Sequence, residues 1–184
     1  MPTDAELLIR SRTDPEAFGT LFDRHANTVH GYLARRLEPG VAEDLVSEVF
    51  IRALEARYRT RPHESGSVRP WLLGIARNLV LKHRTRSRPR LRVADPSERV
   101  DWQGVDDRLD AQAMTTPLQL ALDGLTDIER EVLLLVGWEQ LSIGEAADVL
   151  GIKPGAARVR LHRARAHAAA ALAAVPHPYQ TQEN

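Results

Sequence analysis

Residues 142–167, SIGEAADVLGIKPGAARVRLHRARAH, constrain the fold more than any other stretch. They read as two helices joined by a tight turn. Ser142 can N-cap the first helix, with Glu145 three positions on to complete a capping box. Ala146, Val149 and Leu150 give that helix an apolar face at spacings of three and four. Gly151 follows at the point where a left-handed C-cap suits glycine, and Ile152 fills the corner. Pro154 suits the first turn of a second helix, where its missing N–H would have no intrahelical partner. That helix sets Ala157, Leu161, Ala164 and Ala168 on one side and turns Arg158, Arg160, His162, Arg163 and Arg165 elsewhere. Residues 153–174 contain no acid, so ion pairs within the helix are not the purpose of these arginines. Guanidinium forks match guanine edges and phosphates. The pattern is that of a helix-turn-helix whose second helix enters a DNA major groove.

The charge distribution supports a nucleic-acid partner. The chain has 184 residues with 25 basic and 25 acidic side chains, so its formal charge is zero. Residues 61–92 nevertheless hold nine Lys/Arg against the single acid Glu64, and residues 93–150 hold thirteen acids against three bases. Two separate basic blocks predict two separate contacts with a polyanion. The first block ends in Lys82, Arg84, Arg86, Arg88, Arg90 and Arg92, downstream of Trp71, Arg77 and Asn78. Asn and Arg can read base edges, and a basic surface near aromatics can hold an unstacked strand.

The rest of the chain predicts an all-α fold of two small helical domains joined by a flexible acidic linker. The expected bounds are a first domain at 1–88, a linker at 89–116, a second domain at 117–175 and a tail at 176–184. Thr3 and Glu6 make a capping box for a short first helix. Asp14-Pro15 opens a second helix, which Pro39-Gly40 is expected to end. A third helix is expected over 41–59, a loop over 60–67 and a fourth helix over 68–86. Thr126 and Glu129 cap a helix over 127–137 that leads into the helix-turn-helix. No period-two strand pattern is present.

The remaining composition excludes several classes. With no cysteine, disulfides, thiolate metal sites and cysteine nucleophiles are ruled out. The histidines do not cluster at metal spacing, and HExxH, GxxxxGK[ST] and GxGxxG are all missing. No enzyme, metal or cofactor is expected. No basic-then-apolar leader precedes the first helix and no apolar run is long enough to span a bilayer, so the expected location is cytoplasmic, with no direct membrane insertion.

Three stretches carry a family resemblance. AEDLVSEVFIRALE (42–55) resembles the region-2 helix of bacterial sigma factors that grips the clamp helices of RNA polymerase. VRPWLLGIARNLVLKHRTRSR (68–88) resembles the promoter-melting stretch that follows it, and residues 125–165 resemble region 4. With a short linker and no intervening region-3 domain, the chain is similar to the extracytoplasmic-function group of the sigma-70 family. The resemblance implies a factor that binds core RNA polymerase at clamp helices and flap, recognises promoter DNA and starts transcription. It also implies an anti-sigma protein as partner. By the same resemblance Asp44, Glu48, Phe50 and Arg52 match the polymerase-binding helix. Arg61, His63, Arg69, Trp71, Arg77, Asn78 and Lys82 match the minus-10 surface. Arg158, Arg160, His162, Arg163 and Arg165 match the minus-35 helix. Val159 stands where relatives often carry a small polar residue, and its side chain has no hydrogen-bonding group to offer a base edge. The competing reading is a helix-turn-helix regulator that binds duplex DNA without polymerase. The first half of the chain separates the two, because such a regulator needs no docking helix beside a basic, Trp-bearing one.

Overall fold

The computed structural model describes residues 1–61, 63–87 and 121–173, and the regular elements among them are all helical. The first unit holds α1 (Asp4–Arg10), α2 (Glu16–Ala34), α3 (Pro39–Ala56) and α4 (Arg69–Ser87). The second holds α5 (Asp127–Gly137), α6 (Ile143–Leu150) and α7 (Pro154–Ala173), preceded by a helical turn at 121–123. The expected linker at 89–116, the arginines Arg88, Arg90 and Arg92, and the tail at 176–184 lie outside the described residues.

The capping chemistry sets where α1, α5 and α6 begin. Thr3, Thr126 and Ser142 each accept from the N3 backbone, and Glu6, Glu129 and Glu145 reach back to the cap N–H. Two connections differ from the sequence expectation. α2 ends at Ala34, and Leu37 is buried in the connector. Pro39 then opens α3 rather than closing α2. At the first helical position its missing N–H costs nothing, and Glu38 before it takes the extended backbone (ψ 146°) that a following proline favours. α3 stops at Ala56, short of the expected 59; its last turn is closed by side chains, Arg57 donating to Leu54 O and the Thr60 hydroxyl to Ala56 O (3.1 Å). Arg12 donates to the carbonyls of Arg57 (3.3 Å) and Thr60 (2.8 Å), and Arg57 donates back to Ser11 O (3.0 Å). These bonds tie the start of the 61–67 loop to the α1–α2 turn. Asp4 holds the other end of that loop: it accepts from Val68 N (3.4 Å) while pairing with His25 (2.7 Å) and Arg24 (3.2 Å).

The core of the first unit contains Leu8, Leu21, Val29, Leu33, Val49, Leu72 and Leu73, all essentially inaccessible. Val132, Leu135, Ala146, Ala157 and Leu161 do the same for the second unit. Each large aliphatic so buried contributes roughly 1.5–3 kcal/mol. The sequence describes two domains on a tether; the structure packs them into one continuous apolar cluster, with α4 against α6.

A charged seam runs along that junction. Glu131 of α5 accepts from the Tyr32 hydroxyl (2.8 Å) and from Arg36 (3.0 Å), and all three side chains are buried. Glu139 pairs with Arg35 and lies 3.9 Å from Arg36, while its carbonyl accepts from Arg69. Burial pushes the Tyr32 hydroxyl well above its ordinary range; the opposing pull of Arg36 is outweighed, and Glu131 adds to the rise. Burial pulls the Arg36 guanidinium down, but Glu131, Tyr32 and Glu139 outweigh it, so Arg36 is held charged.

Candidate nucleic-acid interface

The α6–α7 turn positions the arginine-rich helix. Gly151 takes φ 66°, ψ 34°, a backbone an L side chain resists. Ile152 N then donates to Ala147 O (3.0 Å) and Gly151 N to Asp148 O (3.2 Å), the paired bonds of a Schellman ending. The chain is thereby turned so that Ala157, Leu161 and Ala164 of α7 are buried. Their spacing leaves Arg158, His162, Arg163 and Arg165 exposed and Arg160 half-buried. No salt bridge joins these arginines to an acid among the described residues. Val159 is 51% exposed on the same helix.

The second nucleic-acid candidate gathers around α4. Arg61, His63, Trp71, Arg77 and Asn78 line a single cleft of about 520 Å³ with Pro70, Gly74 and Ile75. Its opposite wall is Asp148, Val149, Leu150 and Gly151 of the helix-turn-helix. Lys82 is exposed further along α4. Arg69 is drawn to the seam, where it donates to Glu139 O. Arg84 of the basic block is half-buried and donates to Arg36 O (3.0 Å). Burial, then the charge of Arg36, lowers its affinity for a proton, so Arg84 belongs to the packing of this region. The loop is organised by His63 O accepting from Gly66 N (2.7 Å), and Gly66 takes φ 76°.

α3 presents the third surface. Asp44 and Glu55 are exposed, and Glu48 pairs with Arg52 at 2.6 Å on the helix face. Phe50 corrects the sequence reading, which set it among the contact residues. It is only 5% exposed and packs edge-on to Phe22 (4.7 Å between ring centres) and Phe18 (6.4 Å). Its place is under the helix. The apolar side chain that α3 does show is Ile51, 53% exposed, which the sequence reading passed over. The legible signal was the outward row Asp44, Glu48, Ile51 and Glu55 at steps of four, three and four.

The family model for sigma-70 region 2 matches residues 21–90, and that for sigma-70 region 4 matches residues 116–167. The ECF RNA polymerase sigma factor SigC of Mycobacterium tuberculosis is 37% identical over 143 residues, which cover 73% of this chain and 71% of SigC. The chain belongs to the extracytoplasmic-function group of the sigma-70 family. The RNA polymerase sigma factor CarQ of Myxococcus xanthus is 35% identical over 153 residues, 80% of this chain and 84% of CarQ. The ECF sigma factor BldN of Streptomyces coelicolor is 34% identical over 165 residues; they cover 86% of this chain but 62% of BldN, which is the longer protein. In fold the chain is similar to CnrH, solved in complex with the cytosolic domain of CnrY, with TM-score 0.66 and 24% identity over 94% of this chain and 99% of that one. It is also similar to RpoE of Bartonella quintana, solved with the anti-sigma factor NepR, at TM-score 0.58 and 21% identity over 86% of this chain and 98% of that one. Sigma factors are transcription initiation factors. Most of α2 and all of α3 and α4 fall in the region-2 match, and α5 to beyond the middle of α7 in the region-4 match. Among the described residues no helix is long and apolar enough to cross a membrane.

Proposed function

We propose that this chain directs core RNA polymerase to promoters and stabilises the melted DNA, without catalysing a covalent step itself. The observation that carries the reading is the union, in one chain, of a region-2 match over residues 21–90 and a region-4 match over residues 116–167. A regulator that binds duplex DNA alone would need only the second. In this reading Asp44, Glu48, Arg52 and the exposed Ile51 of α3 meet the polymerase clamp helices, with Phe50 holding that face in shape from below. Arg158, Arg160, His162, Arg163 and Arg165 hold the minus-35 duplex. Guanidinium forks supply phosphate and guanine contacts there, so binding should weaken steeply with salt.

Around α4, Trp71 and Asn78 with Arg61, His63, Arg77 and Lys82 receive the minus-10 strand. A half-buried indole offers a stacking platform, and the amide of Asn78 can pair with a base edge. Unstacking a base costs a few kcal/mol, which backbone contacts and polymerase binding offset. In this reading the protein acts where promoters are, in the cytoplasm. An anti-sigma protein is the natural antagonist, as with the structural neighbour solved in complex with one. Domain limits of 1–88 for region 2 and 117–175 for region 4 follow the same reading. Purified protein added to core polymerase should yield promoter-dependent run-off transcripts; none across a genomic promoter library would refute the proposal.

A further inference from the structure

The crest of the 61–67 loop meets the second unit, where Ser65 Oγ donates to Glu145 Oε1 (2.9 Å) and His63 Nε2 lies 3.3 Å from Asp148 Oδ2. Its two ends are held from within the first unit, by side chains that do not line the cleft beside α4. At the entry Arg12 is a two-pronged clamp: Nη2 donates to Thr60 O (2.8 Å) and Nε to Arg57 O (3.3 Å). Arg57 Nε returns a bond to Ser11 O (3.0 Å), so the α1–α2 turn and the end of α3 are cross-tied. At the exit Asp4 Oδ2 accepts from Val68 N (3.4 Å), at the head of α4. A carboxylate there also meets the positive end of the α4 dipole. His25 Nε2 (2.7 Å) and Arg24 Nη1 (3.2 Å) of α2 fix Asp4 in turn, and its side chain is only 14% exposed.

Both clamps belong to one rigid piece. Asp4 is the first residue of α1, and Arg12 follows its last residue, Arg10, by two. The helix is about 10 Å long, and buried Leu7 and Leu8 pin it to the core. α1 therefore fixes the distance between the ends of the loop. Trp71 stands one turn beyond Val68, so the Asp4 bond also registers the indole against the loop. α1 and Arg12 lie ahead of residue 21, where the region-2 match begins. We propose that α1 is a brace for base selection at the minus-10 element, with Asp4 and Arg12 as its positioning residues. A loop with fixed ends keeps one pocket shape and rejects a base that does not match it. A slack loop reshapes around any base and discriminates less. The proposal rests on the assignment of α4 and its loop to promoter melting.

Asp4→Ala and Arg12→Ala each free one end and are compared with wild type in the full chain. In the free protein, amide exchange read by mass spectrometry should quicken about three- to tenfold over residues 60–68, the effect of losing one such bond. Exchange in α2 and α3 should not move. With core polymerase, open-complex affinity is read on a promoter taken from the run-off library and on copies carrying each of the four bases at every minus-10 position. The preference for the best base over the worst should fall about three- to tenfold in both variants, with affinity for core polymerase unchanged. A variant that is merely less stable lowers the active fraction on every promoter alike and leaves that ratio untouched. Asp4→Asn keeps an acceptor for Val68 N and Arg12→Lys a donor for Thr60 O, so each should recover part of the preference. These two carry the test if an alanine variant does not fold. Full base preference in folded variants overturns the brace, as does unchanged exchange over 60–68. The melting assignment is tested apart, by Trp71→Ala in the polymerase complex. If that variant fails to open promoters while the Asp4 and Arg12 variants keep full base preference, the brace alone falls. If it opens them normally, the assignment falls and the brace with it.

Discussion

Glu145 does two jobs with one carboxylate. Oε2 accepts from Ser142 N (2.9 Å) as the returning arm of the capping box, and Oε1 accepts from Ser65 across the junction. Partial burial would raise its pKa, but the Ser142 backbone bond, the Ser65 and Ser142 hydroxyls and the neighbouring His63 outweigh that and hold it below the ordinary 4.5. A carboxylate with a lowered folded-state pKa stabilises above its unfolded value and loses that contribution as pH falls through the folded one. The difference in unfolding midpoint between wild type and Glu145→Gln should therefore be full at neutral pH and shrink in acid. A difference that does not change with pH would contradict this. Ser142→Ala removes the other arm and should cost about 1 kcal/mol in denaturant titrations. On α7, Arg163→Ala should cost about 1–3 kcal/mol in minus-35 duplex binding if the guanidinium makes a bidentate base contact. An unchanged affinity would remove it from the reading set. Both arms of the cap were readable in the sequence, since they lie three residues apart. The Ser65 contact, eighty residues away, had no local sign.

At the scale of the element, α3 shows how a row of residues is read correctly and one member misplaced. Spacing sets Leu45, Val49 and Ala53 beside Val46, Phe50 and Leu54 as adjoining apolar rows; Val49, Phe50 and Ala53 are buried and the other three half-buried. Phe50 was nevertheless assigned to the surface, because motif likeness does not say which way a ring points. Only packing against Phe18 and Phe22 decides that. Asp44→Arg or Glu48→Arg should weaken association with core polymerase while leaving the circular dichroism spectrum unchanged, because Asp44 is exposed and Glu48 is engaged only at the surface. Loss of helical signal in Asp44→Arg would contradict its placement on the outer face. Leu161→Ala, by contrast, opens a cavity under the recognition helix. It should cost about 2–5 kcal/mol in stability, read by thermal or denaturant unfolding.

At the scale of the whole molecule the junction between the units matters most. The shared apolar cluster implies that both units unfold in one transition. Glu131→Ala takes away the closer of the two carboxylates beside buried Arg36, and with it the acceptor of Tyr32. Breaking such a buried pair costs about 3–5 kcal/mol. The expected result is uncoupling: two denaturant transitions, one per helical unit, in place of one. A single transition with an unchanged midpoint would show that the seam does not join the units.

What the sequence determined by itself is the local grammar. It specified the three capping boxes, the left-handed Gly151, the buried stripe of α7 and the basic face opposite it, because each depends on residues at most four or five positions apart. It also supported a two-unit, all-helical reading, since no stretch has strand periodicity. Tertiary structure decided which acids meet which arginines. Glu131 reaches partners 95 and 99 residues away. A chain with 25 bases and 25 acids offers too many pairings for spacing to choose among them. Shape makes the choice: once α6 packs on α4, Glu131, Glu139, Glu145 and Asp148 are brought to the residues of the first unit that can answer them.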